Sequence, residues 1–361
     1  RAMRNTKLAK NDTQNRKQNS LRKRLALSTA LATMALTGYG GRGAYAGACS
    51  LDAGTYVCGD QFSSTLNLSA APLNVTTTST FGIDTSAGAG NALNLTGNGG
   101  LGFVDNNNST ITGGGHGIFA VNEGTGSLRL TSTGSVRGNG TYSYSYYGHT
   151  YIYGTGHGIY ASNTGVNLEI SAHAVAGILT GIKATNRGIG AMSVTTTGSV
   201  SGQESSGINV SNFGTDLTLD TKAVTGDSTG ISANNRGTGS MTVTTSGRVR
   251  GQRGHGISAS QSGSGGMTVI SNGSAYSYSR NGINVSNNGS GPTYITANGS
   301  VIGGGSGLVA VNNGSGALTV QTGAQVTGHG STGLRATNNG TDLTIQTAGV
   351  LGYNTGISAT N

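Results

Sequence analysis

Gly207-Ile208-Asn209-Val210-Ser211-Asn212-Phe213-Gly214-Thr215-Asp216-Leu217-Thr218-Leu219-Asp220-Thr221-Lys222-Ala223-Val224-Thr225-Gly226 is one unit of a pattern that fills most of the chain. Ile208 and Val210 alternate with Asn209 and Ser211, and a Phe-Gly-Thr-Asp turn follows. Leu217 and Leu219 then alternate with Thr218 and Asp220, and Val224 precedes Gly226. Alternation with period two marks a half-buried strand, so the unit encodes three short strands punctuated by Gly and Asn. Its opening phrase, Gly-Ile/Leu-x-Ala/Val-x-Asn, starts at Gly117, Gly158, Gly181, Gly207, Gly230, Gly256, Gly282, Gly307, Gly333 and Gly356. The steps between these glycines are 41, 23, 26, 23, 26, 26, 25, 26 and 23 residues. A period in this range is the signature of a solenoid. Three strands in 23–26 residues is the chain that one coil of a parallel β-helix needs. Each inward Ile, Leu or Val then stacks on its counterpart about 4.8 Å away. The expected fold is all-β, a right-handed parallel β-helix, its hand following the rule for parallel crossovers. One coil buries too little to stand alone, and only the stack is stable.

The phrase ends on Asn122, Asn163, Asn186, Asn212, Asn235, Asn287, Asn312, Asn338 and Asn361, with Gln261 as the exception. A column of stacked amides satisfies its own donors and acceptors, and Asn also tolerates a left-handed turn. These residues are expected to form a structural ladder at a strand-ending turn.

Glycine, at 66 of 361 residues, would suggest disorder if it were aperiodic, but here it recurs at the turns of a repeat. The formal net charge of +9 is a property of one end. Residues 1–46 hold ten Lys or Arg and one Asp, whereas residues 47–361 hold eleven of each sign. The high isoelectric point therefore gives no reason to expect a nucleic-acid partner.

Residues 1–24 are basic and polar, residues 25–37 form an apolar run of 13, and Ala44-Tyr45-Ala46 follows. This is the layout of a secretory signal peptide cleaved after Ala46, and the run is too short to span a bilayer as a helix. A lipid anchor through Cys49 is disfavoured, because Ala46-Gly47-Ala48 lacks the usual Leu three residues before the cysteine. Cys49 and Cys58 are the only cysteines, and an exported chain would join them as a small disulfide-closed hairpin. That staple would protect the open end of the solenoid. Residues 47–116 read as an N-terminal cap with degenerate coils, in which Leu66/Leu68, Leu73/Val75, Ile83, Leu93/Leu95 and Phe103 still alternate. Residues 117–361 read as regular coils that stop in mid-repeat at Asn361, so a longer protein is expected.

The repeat Gly-Ile-x-Ala-x-Asn, Gly-x-Leu/Met-Thr-Val-x-Thr-x-Gly-x-Val-x-Gly resembles the passenger domains of bacterial autotransporters, type V secretion proteins with pertactin-like β-helices. The long basic leader with its Ala-x-Ala site, and the Ala-Cys-Ser to Cys-Gly segment after it, are similar to that family too. The resemblance covers about residues 47–361. It implies display on, or release from, the surface of a Gram-negative bacterium, with adhesion, aggregation or biofilm roles. It also implies a C-terminal translocator, a twelve-stranded outer-membrane barrel lying beyond Asn361. It brings no catalytic residues and no cofactor with it.

Ser-Gly recurs as a turn dipeptide of the repeat, with no recognisable set of His and Asp partners, which argues against a serine hydrolase. A polysaccharide-cleaving β-helix, the rival reading from another class, needs clustered carboxylates, and Asp216/Asp220 is the nearest approach to a pair. Gly-Gly-x-Gly-x-Asp calcium nonapeptides are absent. His116, His157 and His255 each precede the repeat Gly; they are too few for a metal site and read as solvated turn residues. Arg248, Arg250 and Arg253 share one coil, flanked by Arg236 and Arg280, a group that could meet an anionic glycan or a lipid.

Tyrosine is the sharpest positive signal. The 41-residue step carries about 15 extra residues, and insertions in a solenoid become loops on one face. They hold Tyr142, Tyr144, Tyr146, Tyr147, Tyr151 and Tyr153, and Tyr276 and Tyr278 repeat the theme. Both groups are expected in the same slot, after the third strand. Tyr and Ser give a rigid amphipathic contact surface at low entropic cost. The partners that fit are a host or environmental glycan, a surface protein, or a second copy of the chain. The competing expectation is that these tyrosines pack onto the solenoid's own flank.

Overall fold

The computed structural model describes residues 48–147 and 149–361. Residues 1–46, on which a leader, a signal peptide and a cleavage site are expected, lie outside the described residues.

The described chain is a right-handed parallel β-helix of twelve turns, with no helix among the described residues. The unit quoted above folds as three strands, Ile208–Asn212, Leu217–Thr221 and Val224–Gly226. The first strand of every turn joins a twelve-stranded sheet running from Leu66–Ala70 to Thr355–Thr360. The second and third strands join a second, 21-stranded sheet. Pairing is parallel and in register, so like stacks on like: Ile182 on Ile208 on Ile231 on Ile257 on Ile283. The second strands stack Met192 on Leu217 on Met241 on Met267, and the third stack Val200 on Val224 on Val249. All of these side chains are buried. One turn buries five aliphatic side chains (Ile208, Val210, Leu217, Leu219 and Val224), and the turns above and below close that core.

The coils before Gly117 keep this register, with Leu66 on Leu93 on Ile118 and Ile83 on Ile111 on Val136. Their core is filled partly by aromatic rings, Phe62 against Phe81 at 5.8 Å and Phe81 against Phe103 at 6.4 Å. At the N-terminal end, Ala48–Asp52 pairs antiparallel with Thr55–Gly59, and the Cys49–Cys58 disulfide joins directly opposed residues of this hairpin.

The asparagine column is a continuous amide ladder in two pieces. Asn122 donates to Asn163, Asn163 to Asn186, Asn186 to Asn212 and Asn212 to Asn235, at 2.8–3.0 Å. A second run links Asn287, Asn312, Asn338 and Asn361 at 2.7–3.1 Å. The same Nδ2 groups also donate to turn carbonyls, such as Asn163 to Asn167 O. Several Oδ1 atoms accept a further backbone N–H two residues on, which uses the amide's bonding capacity well. None of these asparagines is left-handed: among the described residues, the non-glycine residues with positive φ are Ala53, Asp60, Asn108 and Tyr147. Asn is therefore needed here for its amide and not for its turn tolerance. At Gln261 the ladder breaks, and the Gln261 Oε1 is buried without a partner.

The repeat glycine is required for a similar reason. Gly207 sits where a Cβ would meet Val224 Cγ1 at 2.5 Å and Thr225 O at 2.7 Å, and its φ is not positive. Close approach across the narrow core, and not turn geometry, excludes a side chain.

Candidate functional site

The insertion forms an antiparallel hairpin, Thr141–Tyr146 against His149–Gly154. In its register Tyr142 faces Tyr153, Tyr144 faces Tyr151 and Tyr146 faces His149. Alternate residues share a face and directly opposed residues share that face too. Five tyrosines and one histidine therefore occupy one side of the hairpin. Ser143, Ser145, Thr150 and Ile152 occupy the other, where the Ser145 and Thr150 hydroxyls lie 3.2 Å apart.

Neither side packs on the solenoid. The five strand tyrosines are 46 to 58 % exposed, and Tyr147 at the turn is 85 % exposed. Tyr144 and Tyr146 stack at 6.1 Å, and Tyr146 meets Tyr147 edge-on at 4.4 Å. Serine and tyrosine alternate in the sequence, so strand pairing alone sorts the rings to one face without any core to bury them.

The hairpin's root is held firmly. Asn139 N–H donates to Gly113 O, Gly140 N–H to Gly115 O, and Thr155 N–H to Gly140 O, at 2.8–3.1 Å. From a later coil, Glu204 reaches back, and its Oε2 accepts the Gly154 N–H at 2.5 Å.

Beside the root lies a group of four rings. The His116 and His157 rings stack at 5.1 Å, Phe119 and Tyr160 at 5.0 Å, and the two pairs abut at 5.7–5.9 Å. His157 is thus not a solvated turn residue, being only 5 % exposed, and His116 and His255 are partly buried. Burial is the main cause that pushes His157 down to about 4, with His116 and Lys183 adding to it and a backbone hydrogen bond at Thr180 opposing it. Burial and then Lys183 lower His116, and burial and then Arg280 lower His255. The His116 Nδ1 is already occupied, accepting the His157 backbone N–H at 2.9 Å, so the pair is a brace between coils.

Of the second tyrosine group, only Tyr278 lies in the slot after the third strand that the hairpin occupies. Tyr276 lies inside the strand Ala275–Ser277 and is half-buried, whereas Tyr278 follows that strand in the turn and is exposed. Arg250 pairs in register with Tyr276, and the Arg248 and Arg250 guanidinium carbons stand 5.7 and 5.9 Å from its ring centroid. Arg253 forms an ion pair with Asp227 of the preceding coil.

Asp216 and Asp105 are tied into the fold, whereas Asp220 is exposed. Asp216 Oδ1 accepts from the Ser240 N–H and hydroxyl at 2.7 and 2.9 Å, tying one coil to the next. Asp105, which the sequence reading passed over, is fully buried and accepts from the Thr77, Ser109 and Ser132 hydroxyls.

Comparison with models of protein families, with curated proteins and with solved structures finds no match.

Proposed function

We propose that the chain is an exported, surface-displayed or released solenoid of the autotransporter passenger type, with a structural and adhesive role, and that the tyrosine hairpin is its contact surface. The observation that carries this reading is the hairpin face itself, five half-exposed tyrosine rings on a root fastened to the coils on either side. A hairpin that buries no ring against its own solenoid leaves that aromatic area to a partner. Covering the open half of one ring removes on the order of 100 Å² from water, roughly 2 kcal/mol each. A few rings suffice for a specific contact, and the fastened root limits the entropy lost on binding.

Replacing residues 141–154 with a short Gly-Ser turn tests the reading. The expected result is loss of adherence to cells and glycan-coated surfaces, with the β-type circular dichroism unchanged. Adherence that survives the replacement would remove the hairpin from the contact. Depolymerisation of a glycan panel, lost on Asp216→Ala, would instead favour the rival enzymatic reading. The export part is tested separately, by following the chain to the outer surface with and without residues 1–46.

A further inference from the structure

Charge along this solenoid is segregated. Residues 48–128 contain five acidic residues and no Lys or Arg, whereas residues 228–341 contain six arginines and no Asp or Glu. Neutrality of the exported part as a whole hides a basic stretch with no acidic residue. Within it, Arg250 lies in the strand Val249–Gly251 and Arg248 immediately precedes it, on either side of the inward Val249. Both guanidinium groups stand within 6 Å of the single ring of Tyr276.

Neither arginine has a carboxylate within ion-pair distance: among the described residues, the ion pairs are Arg129–Glu169 and Arg253–Asp227. Arg250 is held in place, its Nη2 donating to Gln252 Oε1 at 2.7 Å and its Nε buried without a partner. Two like charges gathered on one ring repel, and a buried N–H without a partner costs stability. No carboxylate stands within ion-pair distance to offset the two charges. An anion at the accessible guanidinium edges would offset them, at little ordering cost because Arg250 is already fixed by Gln252.

We infer that Arg248, Arg250 and Tyr276 form a binding site for a carboxylate-bearing polysaccharide, with the exposed Tyr278 and Arg280 at its border. A planar guanidinium matches a carboxylate with two parallel hydrogen bonds. The exposed Tyr278 ring offers a flat apolar face to the CH side of a sugar. A linear polyanion also suits a solenoid on which Arg280 follows one coil after Arg248 and Arg250, since its charges can follow the axis. This site stands apart from the tyrosine hairpin, and either can fail without the other.

The test uses the purified chain from residue 47 onward, free of the basic leader, and polygalacturonate, with neutral dextran, dextran sulfate and phosphatidylglycerol vesicles as comparison probes. Expected is binding to polygalacturonate that weakens with salt, is absent for dextran, and falls about tenfold in Arg248→Gln and further in the Arg248→Gln/Arg250→Gln double variant. Arg248 is exposed, so its single variant keeps the fold and reads the site alone. Arg335→Gln, on the other sheet, is expected to bind as the parent does. Equal losses at Arg335 and Arg248 would reduce the effect to general charge and overturn the site. So would no binding at low salt, or binding to vesicles or dextran sulfate alone. Self-association that Arg248→Gln abolishes, without polygalacturonate binding, would assign the surface to a second copy and overturn it too.

Discussion

The backbone N–H of His157 donates to the imidazole Nδ1 of His116, one coil earlier, while the two rings stack face to face. That bond exists only while the His116 Nδ1 is unprotonated. Both histidines have folded-state values below the ordinary 6.5, His157 at about 4, so the native state disfavours their protonation. Stability from this pair is fully present above about pH 6.5 and is lost as pH falls from there through about 4. Loss on the order of 2 kcal/mol is expected at the acid end. Thermal melts between pH 7.5 and 4.5 check it against a double variant, His116→Asn/His157→Asn. Asn91 and Asn281 fill equivalent positions and accept the same kind of coil-to-coil bond, so the variant is expected to fold and to show a flatter pH profile. A variant as acid-sensitive as the parent would contradict the assignment.

The break in the amide ladder predicts a stabilising change. In Gln261→Asn the shorter amide falls in line with Asn235 and Asn287, and the orphaned Oε1 of Gln261 is replaced by an accepting Oδ1. A gain of about 1 kcal/mol is expected, read as a higher midpoint in denaturant at constant m-value. In the intact stretch, Asn212→Leu is expected to cost about 2–3 kcal/mol, because it takes one ladder bond from each of Asn186 and Asn235 and leaves the buried Gly214 N–H without its acceptor.

Gly207→Ala is expected to destabilise by at least about 2 kcal/mol, since its methyl would collide with Val224 and with backbone carbonyls. Gly349→Ala is the control: nothing lies within 4 Å of the added carbon, and its cost is expected to be small.

Glu204→Ala removes the acceptor at the hairpin root and leaves the coil contacts alone. Chymotrypsin is expected to cut residues 141–153 faster in this variant, while the melting temperature of the solenoid stays put. Glu204→Gln is expected to restore most of the protection, through its carbonyl oxygen. Unchanged cleavage in Glu204→Ala would mean that backbone bonds alone hold the root.

The solenoid was legible in the sequence because the repeat writes its core, its corners and its ladder at fixed offsets. Only Gln261 departs from the ladder, and it departs in the structure as well. The tyrosine hairpin was legible as an insertion with Ser-Tyr alternation, but its exposure was not, since alternation alone does not say whether a core lies underneath. The His116–His157 pair was misread because a turn position looks solvated in one dimension. Burial came from Phe119 and Tyr160, which the parallel register brings alongside. The Arg250–Tyr276 contact joins residues 26 positions apart, and only the register of the third strands reveals it.

That register also makes the molecule a ruler. Arg137, just before the hairpin root, stands in the same outward column as Arg250, reached through Ala176, Ser201 and Thr225. Four coil steps separate them, about 19 Å along the solenoid axis. A polymer that touches both places gains from linkage only if its own repeat matches that span. Adding or deleting a single coil between Gly181 and Gly230 would change the span by about 4.8 Å without altering any contact residue. Coil number would then be a dial on which polymer is held, set by duplication of a 25-residue cassette and independent of the chemistry at either end.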